Sequence, residues 1–517
     1  MERIERAGSE FCAIGAPEPL CLYSEKQHFL NMINNDDTFD SVLINRISEK
    51  SKIKYEETFL HVSLILLTIM PVVFYFAIAR IVCQQLEKKT FVNFVWRFII
   101  EFVIIVVPTV LFVNVFNDYV GFVMILFGLC VLLKLYLNYK RQTFENHWYD
   151  LGGSRPYVLT LVRAIINLLT VLCILAVDFT CFPKIFRKSR TYGAGLMDVG
   201  IGLFIFAMGA VSRPPTKFAH YKRLMFTVLP LLVLGTLRTV IIIHINYSQD
   251  EHEYGQHMNA FFTLGLTKLF GGGLSGLAKH GWAHVAIGVV ITIIHESSLQ
   301  FFISEYVMNG DIARDTLVRA NREGIFSLPG FVAIYLISIY IGQMLRVSDG
   351  LVSHKVLFNK LKAFGITSVG LWLLVIACIY SISIARVTCN LGYIAWIFAI
   401  TLTMIFIAMV VFHLVLNVSW TTRDAKSPHE SFTFTEPLLA ATAGSRISTN
   451  ILPTLVEAVN KNGLTFFLLA NVLTGAINIY LEPSERYYKE SIFILTMYML
   501  ISIGFVQLLY RFNIRLA

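Results

Sequence analysis

Asp178 and Asp198 bracket a loop that carries Lys184, Arg187, Lys188 and Arg190, with an apolar run on either side. Carboxylates and cations gathered at the edge of a membrane span suggest a site for chemistry or for anion binding. A poorly hydrated carboxylate has its pKa raised by desolvation and lowered by neighbouring cations, which can poise it as a general base. Asp178 is the candidate base. The Phe182-Pro183 step lets the loop fold back and bring Lys188 alongside. In that arrangement Asp178 takes the proton of an alcohol while an acyl group passes to it from a thioester, and Lys188 orients the hydroxyl or steadies the developing oxyanion. An ion-pair gate in a lipid or solute transporter explains the same residues, and no serine or cysteine nucleophile stands out.

Two further polar clusters fall on the same side of the membrane when the apolar runs are counted. One is His252-Glu-Tyr-Gly-Gln-His-Met-Asn259, with Glu253, Tyr254, His257 and Asn259 as candidate substrate contacts. The other, Arg319-Ala-Asn-Arg-Glu-Gly324, offers Asn321, Arg322 and Glu323. Separate stretches of chain meeting at one surface are what a site between helices requires, whereas snorkelling and helix capping account for any one of them alone. Arg238 lies within a span, where it pairs with Asp178 or Asp198 or contacts a substrate phosphate. Asn471 and Asn478 lie two turns apart on one side of a later span and serve as interhelical hydrogen-bond partners or as ligands. Tyr192 and Asp198 complete the set.

The elements that must position these residues follow from composition. Apolar residues make up 56% of the chain and charged ones 15%, and apolar runs of about twenty residues, enough to cross a bilayer core, recur along its length. The fold class is all-α, a polytopic membrane bundle of about thirteen transmembrane helices. The spans fall near 57–82, 96–115, 119–138, 157–177, 195–212, 223–244, 258–270, 281–308, 327–345, 363–385, 391–417, 462–481 and 490–511. Gly200, Gly202 and Gly209 are expected to admit close helix packing.

Cations concentrate in the connections after odd-numbered spans, which makes those connections and the C-terminus cytosolic and leaves the N-terminus lumenal. The basic 178–194 loop breaks that bias, as a loop that binds something anionic would. Residues 1–56 read as a mixed-charge lumenal tail, with the first span as an uncleaved anchor. Residues 57–517 form the membrane domain, interrupted by a polar cytosolic linker over 418–461. The 8 cysteines are scattered without metal-ligand spacing, so no metal site is expected. The net charge of +9 suits loops beside anionic lipid, and nothing resembles a nucleic-acid module.

Several ordered segments resemble the glucosaminyl-phosphatidylinositol inositol acyltransferases of GPI-anchor synthesis. They are Ala176-Val-Asp-Phe-Thr-Cys-Phe-Pro-Lys-Ile-Phe-Arg-Lys188 followed by Tyr192-Gly-Ala-Gly-Leu-Met-Asp198, then His252-Glu-Tyr-Gly-Gln-His257, Ala320-Asn-Arg-Glu-Gly-Ile325 and Phe466 to Asn478. The resemblance implies a multi-pass enzyme of the endoplasmic reticulum membrane that needs no cofactor. Its co-substrate would be an acyl-CoA, typically palmitoyl-CoA, and its acceptor the inositol 2-hydroxyl of glucosaminyl-phosphatidylinositol. It further implies catalytic roles for Asp178 and Lys188, with the matching segments on the lumenal side. On that reading Lys184, Arg187 and Arg190 hold phosphate groups, while Tyr254, His257, Asn321 and Arg322 meet sugar hydroxyls or the lipid phosphate. Thr180 and Cys181 replace a proline-plus-apolar pair usual in the family, and Met258 with Ala260 replace bulkier aromatics. These departures bear on selectivity more than on reaction type.

Overall fold

A computed structural model describes residues 55–83, 91–141, 148–244, 251–348, 350–416, 419–420 and 452–516. The tail 1–56 lies almost wholly outside the described residues. By its contacts the chain divides into Met1–Phe59 and Leu60–Ala517, and the helical bundle belongs to the second unit.

Eleven described helices are long and apolar enough to cross a membrane. In chain order they are α1 (Tyr55–Cys83), α2 (Val92–Asn114), α3 (Asn117–Tyr139), α4 (Tyr157–Ala176), α6 (Phe218–His244), α8 (Gly281–Met308), α9 (Arg322–Leu345), α10 (His354–Ser381), α11 (Leu391–Val415), α13 (Gly463–Leu481) and α14 (Tyr488–Arg511). Two shorter apolar helices of 16 residues each, α5 (Leu196–Val211) and α7 (Ala260–Ser275), occupy the two remaining expected spans. The chain is therefore an all-α multi-pass membrane protein. One boundary moves appreciably. The span expected at 363–385 begins at His354, because Lys360 reaches back to the Met344 carbonyl and its cationic turns need not lie outside the helix. It ends at Ser381, where Ser383 turns to positive φ.

Burial separates the centre from the lipid-facing rim. In α4 and α11, 78% of the apolar stretch is covered by other helices, against 6% in α3 and 11% in α6. No hydrophobic force separates a leucine in lipid from one in protein, so contact in the centre depends on close fit and on small residues. At Gly209 a Cβ would stand 2.5 Å from the Tyr335 carbonyl oxygen of α9, and at Gly342 of α9 it would overlap the Ala210 carbonyl. Glycine at both positions is what lets α5 and α9 touch backbone to backbone. Gly202 has the same use against Ile397 and Tyr393 of α11, whereas Gly200 makes only ordinary contact with Thr170.

Each crossing reverses the chain, so connections after odd spans share one face and those after even spans the other. Contacts bear this out at both ends. On the odd face, strand β1 (Trp148–Asp150) pairs antiparallel with β2 (Leu351–Ser353) and β3 (Ser419–Trp420), in register Tyr149 to Val352 and Tyr149 to Ser419. This small sheet gathers the connections after α3, α9 and α11. Of the stretch expected to be a linker over 418–461, residues 418 and 421–451 lie outside the described residues. Its last turns form a buried helix, α12 (Thr454–Lys461), whose first amides are held by the Glu101 carboxylate at 2.8 and 2.9 Å. An anion at a helix N-terminus satisfies amides with no intrahelical partner and favours the helix dipole.

Candidate active site

The opposite face collects the connections that come after α4, α6, α8, α10 and α13, and all three polar clusters lie there. The α4 connection is shaped by its aromatics. Phe179, Phe182 and Phe186 are buried, with the last two packed edge to face, and Pro183 starts a single tight turn over Lys184–Phe186. Burying these rings turns the intervening polar side chains outward. Lys184, Arg187, Lys188 and Arg190 are accordingly all exposed, forming a cationic rim.

Asp198 closes the far end of this loop. Its carboxylate accepts from the Ser189 amide and hydroxyl and the Gly195 amide, and on its other oxygen from Arg386 Nε at 2.9 Å. It is fully buried, and its donors are all internal. The expected substrate contact is thus a fastening for the loop. Arg386 also lies 5.5 Å over the Tyr254 ring, so one guanidinium ties the α4, α6 and α10 connections together. Arg386 belongs to no motif of the sequence. Its only signal was a lone cation just past an apolar run on the cation-poor side. Arg238 is exposed on α6, and Asp198 pairs with Arg386 in its place.

The second and third clusters form a single latch. Asn321 Oδ1 accepts from the His257 and Met258 amides at 2.8 and 2.9 Å, the Gln256 amide donates to the Ala320 carbonyl, and the Gly324 amide donates to Tyr254. Gly255 sits at φ +101° against the Asn321 backbone, where a side chain would be both strained and obstructed. Arg322 is fully buried and donates to the carbonyls of Val307, Asn309 and Ile312. Glu323 takes a two-pronged pair from Arg314, which also reaches Glu251. Asn259 caps α7 and bonds Gly235 of α6. The side chains of Asn259, Asn321, Arg322 and Glu323 are thus bonded within the protein and hold these connections together. Tyr192 meets Ser304 of α8 at 2.8 Å, and His257 is exposed.

The expected partnership of Asp178 and Lys188 is not a direct one. Lys188 forms its ion pair with Glu253 of the α6 connection. Asp178 instead accepts from Asn478 Nδ2 of α13 at 2.9 Å. Desolvation raises the Asp178 pKa, opposed by the Asn478 hydrogen bond and by the charges of Lys188 and Arg187, which act on it from beyond contact distance. Asn478 Oδ1 is buried and has no hydrogen-bond partner. A carboxylate with its pKa held up, beside an unsatisfied carbonyl oxygen, offers two acceptors to a polyhydroxylated molecule. Burial pushes the Tyr254 hydroxyl, beside Arg386, up to about 12.

One turn beyond Asn478, a shallow cavity of about 370 Å³ opens between α13 and α14, lined by Leu481, Arg486, Lys489, Glu490, Phe493 and Ile494. Among the described residues, no group of three His, Cys, Asp or Glu side chains is placed to hold a metal ion.

A family model described as GWT1 matches residues 55–509. The chain is 30% identical over 383 residues to the GPI-anchored wall transfer protein 1 of Cryptococcus neoformans var. grubii, covering 66% of this chain and 59% of that protein. It is 27% identical over 441 residues to the mouse glucosaminyl-phosphatidylinositol-acyltransferase PIGW, covering 78% and 85%. It is likewise 27% identical over 497 residues to the phosphatidylinositol-glycan biosynthesis class W protein of Dictyostelium discoideum, covering 84% and 90%. The chain thus spans less than two thirds of the fungal relative's length.

Proposed function

The chain belongs to the GWT1 family, and on that premise we propose that it is an acyltransferase that moves a fatty acyl group from coenzyme A to the inositol 2-hydroxyl of glucosaminyl-phosphatidylinositol. The name of the mouse relative supports the acceptor. The observation that carries the reading is the Asp178–Asn478 pair, with its free acceptor oxygen beneath a cationic rim.

In the proposed reaction the inositol hydroxyl donates to Asp178 while a neighbouring ring hydroxyl donates to Asn478 Oδ1. As Asp178 accepts the proton, the inositol oxygen bonds to the thioester carbonyl carbon, and collapse of the tetrahedral adduct breaks the carbon–sulfur bond. The proton then passes from Asp178 to the departing thiolate. Lys188 exchanges Glu253 for the developing oxyanion, which draws it away from a solvated surface pair of little strength. Lys184, Arg187 and Arg190 hold phosphates of the two substrates, as clustered cations do well. The groove between α13 and α14 takes part of the acyl chain, where each buried methylene contributes about 0.8 kcal/mol. The protein is proposed to work in the endoplasmic reticulum membrane with the site and the N-terminus lumenal and the C-terminus cytosolic, as the cation distribution favours. No cofactor is called for beyond palmitoyl-CoA or another acyl-CoA as co-substrate.

The test uses the purified chain in lipid nanodiscs with labelled palmitoyl-CoA and glucosaminyl-phosphatidylinositol. Asp178→Asn is expected to lower turnover by about 10²- to 10⁴-fold, the usual worth of a general base, with donor binding retained. Turnover within a factor of two of the unaltered chain would refute the assignment.

A further inference from the structure

On the face opposite Asp178, a second set of polar side chains is buried without partners. His413 of α11 is fully buried, and neither ring nitrogen has a hydrogen-bond partner. Arg80, near the end of α1, is half-buried, and its Nη1 is sealed from the surface with nothing to donate to. The two lie close enough for the guanidinium charge to act on the imidazole, and Arg97 adds a second positive charge that acts on Arg80. Among the described residues, the carboxylate that pairs with Arg97 is already committed. Glu101 accepts from Arg97, from the amides of Thr454 and Leu455 and from the Thr454 hydroxyl. Glu101 thus pairs with Arg97, and among the described residues no carboxylate forms an ion pair with Arg80.

An unpaired guanidinium in a membrane span is costly, and a buried imidazole with both nitrogens unsatisfied adds to that cost. A second observation points to a ligand rather than to poor packing. α11 passes into a π-helical turn over Val410–Val415, which includes His413, and α2 into another over Phe102–Val106, directly after Glu101. Both turns pack on α1. Such turns re-aim side chains and recur at functional sites. Here they bracket the unpartnered guanidinium and imidazole.

We propose that Arg80 and His413 form an anion site that holds one phosphate group on the face opposite the Asp178 site. A phosphate matches the forked donors of a guanidinium, accepts a hydrogen bond from an imidazole N–H and neutralises the uncompensated charge. A phospholipid headgroup at the bilayer edge and coenzyme A both carry that group. The inference does not depend on the reaction proposed above.

The test takes the full chain, delipidated in a sugar detergent, and measures binding of dioleoyl phosphatidic acid, coenzyme A and inorganic phosphate separately. Native mass spectrometry reads the lipid and calorimetry the soluble probes. One phosphate-bearing ligand is expected to bind and to weaken at least about tenfold in Arg80→Gln and in His413→Phe, while Asp178→Asn leaves it unchanged. Loss confined to phosphatidic acid assigns the site to a lipid headgroup, and loss confined to coenzyme A assigns it to the nucleotide. The proposal is overturned if no probe binds the unaltered chain, or if all bind the two variants equally. Should neither variant purify in folded form, a cryo-EM map of the unaltered chain in nanodiscs decides: tetrahedral density between Arg80 and His413 supports the site, and ordered water alone overturns it.

Discussion

Replacing Asn478 by alanine removes the hydrogen bond that holds the Asp178 carboxylate at 2.9 Å, and with it one of the three influences that keep the Asp178 pKa from rising further. A hydrogen bond to a charged acceptor is worth about 1.5–3 kcal/mol, and each pH unit of displacement corresponds to about 1.36 kcal/mol. Asp178 is only half-buried, so water replaces part of the lost bond, and the acidic limb of the activity profile is expected to move up by about one pH unit. The sign follows from the chemistry. The donor stabilises the carboxylate, so its loss favours the protonated form and activity is lost at a higher pH as the medium is acidified. Asn478→Asp should move the limb further, because two carboxylates in contact share one proton. The assay is kcat/KM against pH in nanodiscs at saturating acceptor. A limb that stays in place in both variants while the plateau falls would show that Asn478 touches the substrate or the packing but not the base, and the role given to Asp178 would lose its support.

The other predictions concern the scaffold and the rim. Arg386→Met strands a fully buried Asp198 carboxylate, at an expected cost of about 3–5 kcal/mol read from thermal unfolding. Arg386→Met with Asp198→Asn should recover part of the loss, and equal destabilisation of single and double variants would mean that the pair is not coupled. Glu253→Gln releases Lys188 from a surface ion pair worth about 0–1 kcal/mol, so the melting temperature should hold while turnover changes. A fall in melting temperature with unchanged turnover would make the pair a structural one.

The resemblance seen in the sequence reached the family, and hydropathy reached the architecture. Thirteen apolar helices stand close to where thirteen apolar runs were read, because a bilayer imposes length and polarity on any segment that crosses it. The roles of individual polar residues were less legible. Asn321, Arg322, Glu323 and Asp198 looked like substrate contacts, and in the fold they hold connections together. A short polar motif at a helix end has the same composition whether it faces a ligand or a backbone carbonyl.

Span count alone brought the 178–198, 252–259 and 319–324 segments to one side of the membrane, since each crossing reverses the chain. It could not say which side chains would meet. Asp178 and Asn478 are 300 residues apart, Asp198 and Arg386 are 188 apart, and Lys188 and Glu253 are 65 apart. Those meetings depend on which helices are lateral neighbours. Fine fit decides that, at contacts such as Gly209 on Tyr335 and Gly342 on Ala210, where the absence of one Cβ permits an approach that no hydropathy profile records.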